Sequence, residues 1–226
     1  MSKLDVSKIT QYPFPESQYI REEVAKKQIY LHHTAGNSSG VAVYNGWKAT
    51  DDRIATAIVI SGKPNSTGTW KDGEIVQGFP SKYWAYHLGL KKDTFTRAGV
   101  PYQSLDKISI GIEICNWGQL TKTARGWETY VGSLVPDADV CKLDVAFKGF
   151  KYFHNYTDAQ IESTRQLLVF WNEKLGIPIK YKGAEIFGID KRALAGEAGV
   201  YTHNSVRKDK VDVYPHPKLI QMLESL

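Results

Sequence analysis

The sequence predicts an α/β fold, and three observations carry that expectation. The runs 54–60 and 108–115 are apolar and continuous enough to be strands buried on both faces. The stretch opening at Thr157 has the periodicity and caps of a long covering helix. A shorter β-favouring run, Gln28-Ile29-Tyr30-Leu31, ends directly in His32-His33, and the C-terminal end of a strand is where an open α/β sheet gathers its ligands.

Taken in chain order, residues 1–16 carry Pro13 and Pro15 and lack periodicity, which predicts a surface arm running to about residue 26. After the His32-His33 strand, Asn37-Ser38-Ser39-Gly40 supplies loop and N-cap residues for a helix over 41–48, with Trp47 facing inward. The second strand, 54–60, leads into a Gly/Pro/Ser-rich connection and then Asp72-Gly73, flanked by strand formers as in a tight hairpin over 70–77. Residues 83–88 return His87 to the sheet. The core strand 108–115 holds one carboxylate, Glu113, and a lone acid in such a strand needs a reason. Residues 117–151, broken by Gly126, Gly132, Pro136 and Gly149, read as an insertion forming a hairpin or flap near the site. Thr157 and Gln160 make a capping box, Ile161, Leu167, Leu168, Phe170, Trp171 and Leu175 form an apolar face, and Gly176 and Pro178 end the helix. A final short strand is expected at 187–190 and a helix at 217–226.

The 226 residues fit one domain, and no apolar run approaches the roughly 20 residues that span a bilayer. The N-terminus has no apolar signal region, which predicts synthesis in the cytoplasm without a general secretory signal. Cys115 and Cys141 are expected to be reduced, with no chemistry assigned to them. The net charge of +5 is scattered; Lys26-Lys27, Lys91-Lys92 and Arg207-Lys208 are the densest basic runs, which excludes a nucleic-acid-type basic block. A monomer is the default expectation.

Histidines in three distant segments, His32 with His33, His87 and His203, together with Lys210 and Asp212, point to chemistry. Two neutral imidazoles and one carboxylate hold zinc while leaving a fourth position for water, the arrangement of a hydrolytic metal site.

Five motifs, in order, resemble one family: Ile29-Tyr30-Leu31-His32-His33-Thr34-Ala35-Gly36, Trp70-Lys71-Asp72-Gly73-Glu74-Ile75-Val76-Gln77, the segment from Trp84 to Gly89, Ser109-Ile110-Gly111-Ile112-Glu113, and Tyr156-Thr157-Asp158-Ala159-Gln160. The chain is similar, over 27–115 and 152–217, to the zinc-dependent N-acetylmuramoyl-L-alanine amidases, whose fold is shared with peptidoglycan recognition proteins and phage amidases. The resemblance implies a mixed central β-sheet flanked by α-helices. It also implies one Zn²⁺ on His32, His203 and Asp212, with Glu113 as general base and Lys210 steadying the tetrahedral intermediate. His33 should point to the opposite face from His32. His33, Trp84 and His87 are expected to border the substrate groove. Other branches use a tyrosine on the second strand, where this chain has Thr56, so the proton transfer falls to Glu113. The family places proline directly after the late ligand, whereas Asp212 is followed by Val213, with Pro215 later; His216 is therefore a rival ligand.

The implied reaction is hydrolysis of the amide between N-acetylmuramic acid and L-alanine in bacterial peptidoglycan, by an enzyme resembling a phage or prophage endolysin that reaches the wall after release from the cytoplasm. Nucleic acid and integral-membrane partners are not expected. The residues leave open a peptidoglycan-binding protein without catalysis, a cytoplasmic muropeptide-recycling amidase, and a metallopeptidase of other specificity.

Overall fold

The computed structural model describes residues 3–36 and 38–226; Met1 and Ser2 of the arm, and Asn37 of the expected loop before the first helix, lie outside the described residues. The strands are β1 (Thr10–Gln11), β2 (Gln28–His33), β3 (Ile58–Ile60), β4 (Ile75–Gln77), β5 (Ser109–Ile114), β6 (Thr121–Thr123), β7 (Gly126–Glu128), β8 (Leu134–Val135), β9 (Val140–Phe147), β10 (Phe150–His154) and β11 (Gly199–Thr202). The helices are α1 (Gly40–Trp47), α2 (Lys92–Ala98), α3 (Leu105–Ile108), α4 (Asp158–Leu175), α5 (Lys191–Leu194) and α6 (Pro217–Glu224).

Six strands form a mixed sheet in the order β1-β4-β3-β5-β2-β11, with β3, β5, β2 and β11 mutually parallel and β4 antiparallel to β3. Every residue of β2 and β3 is buried, the polar Gln28, His32 and His33 of β2 included. Helix α4 covers β3, α6 packs on α4, and α1 covers β3 and β4. The capping box on α4 is present, and Gln160 extends it: its Nε2 donates to the Cys115 carbonyl at 2.7 Å, tying the helix start to the chain just past β5. Cys115 and Cys141 are both free and buried.

Three expectations need correction. The strand expected over 54–60 is ordered as strand only at Ile58–Ile60; upstream, Ile54 makes an isolated bridge to Tyr86, and the Thr56 hydroxyl folds back onto the Ile58 carbonyl at 2.8 Å. The apolar run had obscured this short-range competition for the backbone.

The Asp72-Gly73 hairpin does not form either, because β4 pairs with β3 across the whole connection instead. The turn serves α4: Thr157 Oγ1 donates to Asp72 Oδ1 at 2.8 Å, and Ser163 Oγ donates to the Gly73 carbonyl at 2.7 Å. Gly73 has φ +73°, and a Cβ there would lie 2.7 Å from the Ala159 backbone. Gly73→Ala is therefore expected to cost at least about 1–2 kcal/mol from the left-handed backbone alone, lowering Tm by roughly 2–4 °C for each of them. A thermal melt checks it, and an unchanged Tm would mean the turn relaxes freely.

The strand expected at 187–190 is replaced by a 3-10 turn at Ala184–Phe187, and the last strand of the sheet is β11, hidden in the sequence by its length and its opening glycine. The insertion, where a hairpin or flap was expected, holds the three-stranded β6-β7-β8 sheet and the β9-β10 hairpin, which runs past residue 151 to His154.

Candidate metal centre

Register assembles the site. In the parallel β2-β5 pair, His32 stands opposite Glu113, so the two side chains share a face; β11 pairs Thr202 with Leu31, which brings the next residue, His203, beside His32. Thr202 and Ser205 cap each other around a 3-10 turn at His203–Ser205 and both donate to the Ile186 carbonyl at 2.6 Å, which fixes where His203 leaves the sheet. Asn204 Nδ2 then donates to the Val213 carbonyl at 2.8 Å, holding the 203 turn against the chain next to Asp212. From the β9-β10 turn, Lys148 Nζ donates to Asn204 Oδ1 at 2.6 Å, to the Lys208 carbonyl at 3.1 Å and to the Lys210 carbonyl. The insertion thus clamps the loop that carries Lys210 and Asp212.

Three donor atoms converge: His32 Nδ1 lies 3.1 Å from His203 Nδ1 and 3.3 Å from Asp212 Oδ2, and His203 Nδ1 lies 2.9 Å from Asp212 Oδ2. All three residues are buried, and this is the cluster among the described residues that can hold a metal ion. The proton count supports a cation there. His203 Nε2 faces the Leu88 carbonyl at 3.1 Å, a contact only an N–H can make, so in the neutral ring Nδ1 carries a lone pair aimed at a carboxylate oxygen. A tetrahedral ion with bonds of about 2.0–2.2 Å spaces its donors about 3.3–3.6 Å apart, within a few tenths of an ångström of what is seen. The residues fit a zinc-type ion.

The electrostatics agree. Burial, reinforced by His203, pushes the His32 imidazole down to about 4, so it is neutral and ligand-competent near pH 7. Burial alone would raise Asp212; it is held well below the usual carboxylate range only when a positive charge stands between it and the two histidine nitrogens, supplied by a ring proton or by a cation in the proton's place. Glu113 moves the other way: burial first, and then the charge of Asp212, push it well above 4.5, with Lys210 countering. Its Oε2 is buried with no hydrogen-bond partner, so the strand acid is held ready for a group the protein itself does not supply.

A cleft of about 640 Å³ opens over these groups and is lined by His32, His203, Asp212, Glu113 and Lys210. Its walls include Val43, Gly46 and Trp47 of α1 on one side and Trp117, Gln119 and Tyr130 of the insertion on the other, none of which the sequence pattern singled out as site residues. The aromatics of a segment without periodicity were the available signal.

The remaining expected site residues divide. His33 points to the opposite face from His32, and its Nδ1 meets the Tyr156 hydroxyl at 2.8 Å, in the cleft wall beneath Gly118. His87 lies behind His32, Nδ1 to Nε2 3.0 Å, and it too lines the cleft, with a side chain 5% exposed. Trp84 is not brought to the cleft: its Nε1 donates to Glu22 Oε2 at 3.0 Å and its ring lies under the Lys107 ammonium. His216 is not in the cluster; its Nδ1 accepts from the Leu219 amide at the start of α6 and its Nε2 donates to Asn155 Oδ1 at 2.8 Å.

The sequence profile of the N-acetylmuramoyl-L-alanine amidases matches residues 23–217. No curated protein sequence matches the chain. Among solved structures, PlyL superposes with a TM-score of 0.52 at 13% identity, covering 96% of each chain. The amidase AmiD from E. coli, solved with anhydro-N-acetylmuramic acid-L-Ala-D-gamma-Glu-L-Lys, superposes with a TM-score of 0.50 at 19% identity, covering 89% of this chain and 59% of that one. At these identities the likeness is one of fold, and it extends to the α/β architecture with a mixed sheet.

Proposed function

The chain belongs to the N-acetylmuramoyl-L-alanine amidase family and is an enzyme of that activity, and from that premise we propose that His32, His203 and Asp212 hold one zinc ion at which the amide linking N-acetylmuramic acid to L-alanine in bacterial peptidoglycan is cut. The observation that carries the reading is the convergence of three potential ligand atoms within 2.9–3.3 Å of one another, on the same sheet face as Glu113, whose Oε2 is buried without a hydrogen-bond partner.

Bound zinc supplies Lewis acidity, polarising the scissile carbonyl and making water acidic enough to lose a proton near neutrality. Glu113 accepts that proton from the attacking water and passes it to the departing L-alanine nitrogen, which would otherwise leave as an unstable amide anion. A raised affinity for protons in the resting site suits this double duty, because the acid must give the proton back. Lys210, which lines the cleft, donates from its ammonium to the oxyanion as the carbonyl becomes tetrahedral. The two walls of the cleft hold the glycan and stem peptide on either side of the scissile bond.

No helix among the described residues is long and apolar enough to cross a membrane. We take the enzyme to act on the intact wall in the manner of a phage or prophage endolysin, reaching it after release from the cytoplasm, and to work as a monomer. Digestion of purified sacculi followed by mass spectrometry tests this. Intact stem peptides with a free L-alanine amino terminus are expected; fragments cut within the peptide would make it an endopeptidase, and undigested sacculi with soluble muropeptides cleaved would make it a recycling enzyme.

A further inference from the structure

Each imidazole of the metal cluster has a second nitrogen, and what that nitrogen meets decides where the proton sits. His32 meets another histidine. Its Nε2 lies 3.0 Å from His87 Nδ1, a contact that works in two opposite ways: His32 donates and keeps Nδ1 bare, or His87 donates and forces the His32 proton onto Nδ1, where it would block a cation.

The rest of the network removes the ambiguity. Ser109 Oγ has one hydrogen, and it donates to the Leu105 carbonyl at 2.7 Å. That leaves Ser109 Oγ as an acceptor for His87 Nε2, 2.9 Å away, so the single proton of a neutral His87 ring is on Nε2 and its Nδ1 is a lone pair. His32 must then donate from Nε2. Proton positions are fixed in sequence from a backbone carbonyl of α3, through a hydroxyl and one imidazole, to the nitrogen that faces the cluster.

The same segment serves the second histidine. Asp106 Oδ1 accepts from the backbone amides of His87 at 2.9 Å and Leu88 at 3.0 Å, and it is the Leu88 carbonyl that receives the His203 Nε2 proton. We infer that His87, Asp106 and Ser109 are positioning residues that set the tautomer and ring orientation of both His32 and His203, so that each presents a bare Nδ1 to the metal ion. This rests on the zinc reading above and gives His87 a role separate from the substrate contact expected of it.

The test is the zinc dissociation constant of the full chain, measured by competition with a chromogenic chelator. His87→Leu keeps bulk and removes the acceptor, and it is expected to weaken zinc binding by about 10–100-fold, the usual effect of losing such a partner. His87→Asn sets an amide oxygen where Nδ1 stood and is expected to recover affinity to within several-fold of wild type, a rescue that mere packing would not produce. Wild-type affinity in His87→Leu, or equal losses in both variants, would overturn the inference. Should His87→Leu fail to fold by circular dichroism, Ser109→Ala decides: it frees His87 to take the opposite tautomer, so several-fold weaker binding is expected, and unchanged binding overturns it. A wild-type chain that binds no zinc would instead defeat the metal-centre reading itself.

Discussion

His203→Ala is expected to lower kcat/KM on sacculi by about three orders of magnitude or more, a loss of roughly 4 kcal/mol of transition-state stabilisation at about 1.4 kcal/mol per tenfold. The size follows from what the position does. His203 Nδ1 is one corner of a triangle whose other corners are 2.9 and 3.1 Å away, and with it gone two donors remain in a buried pocket. On the proposed zinc reading, the metal's share of the catalysis, several kcal/mol of charge stabilisation, should then be lost outright. Chelation of the wild-type enzyme should give the same loss, and added zinc should restore the wild type but not the variant. Circular dichroism should show both folded. Retention of a tenth of wild-type activity in His203→Ala would remove this residue from the catalytic centre.

The second large effect is at Glu113. Glu113→Gln preserves shape and abolishes proton transfer, so kcat should fall by about 10²–10⁴-fold while zinc affinity is retained, in contrast to the ligand variants. It should also alter stability in a pH-dependent way. The folded-state value of Glu113 lies above the ordinary 4.5 because of its burial and the nearby Asp212 charge. A raised value means the contribution of the protonated carboxyl is complete below the unfolded value and is lost as pH rises through the folded one. In metal-free protein, urea unfolding of wild type minus Glu113→Gln should therefore decline as pH rises from about 4.5. A flat difference would show that Glu113 ionises as freely folded as unfolded.

Much of this was legible in the sequence, for physical reasons that can be named. The centres of buried parallel strands are apolar, so residues 29–31 of β2 and the run of β5 stood out, and a carboxylate in β5 was conspicuous because such strands rarely hold charge. The α4 capping box was legible because both partners lie within four residues. What escaped depends on contacts distant in sequence. The Asp72-Gly73 turn looked like a hairpin because its chemistry is local, whereas its partners, Thr157 and Ser163, are more than eighty residues away. β11 was missed because four residues beginning with glycine make no pattern until β2 lies beside them. Asp106 carried no signal in the sequence and Ser109 read only as part of a core strand; the fold alone brings them behind His87.

The most direct test of the central claim is a crystal of the zinc-loaded chain examined by anomalous scattering at the zinc edge. One peak per chain is expected, bonded at about 2.0–2.2 Å to His32 Nδ1, His203 Nδ1 and Asp212 Oδ2. A peak bonded elsewhere, or none between these three atoms, would contradict it.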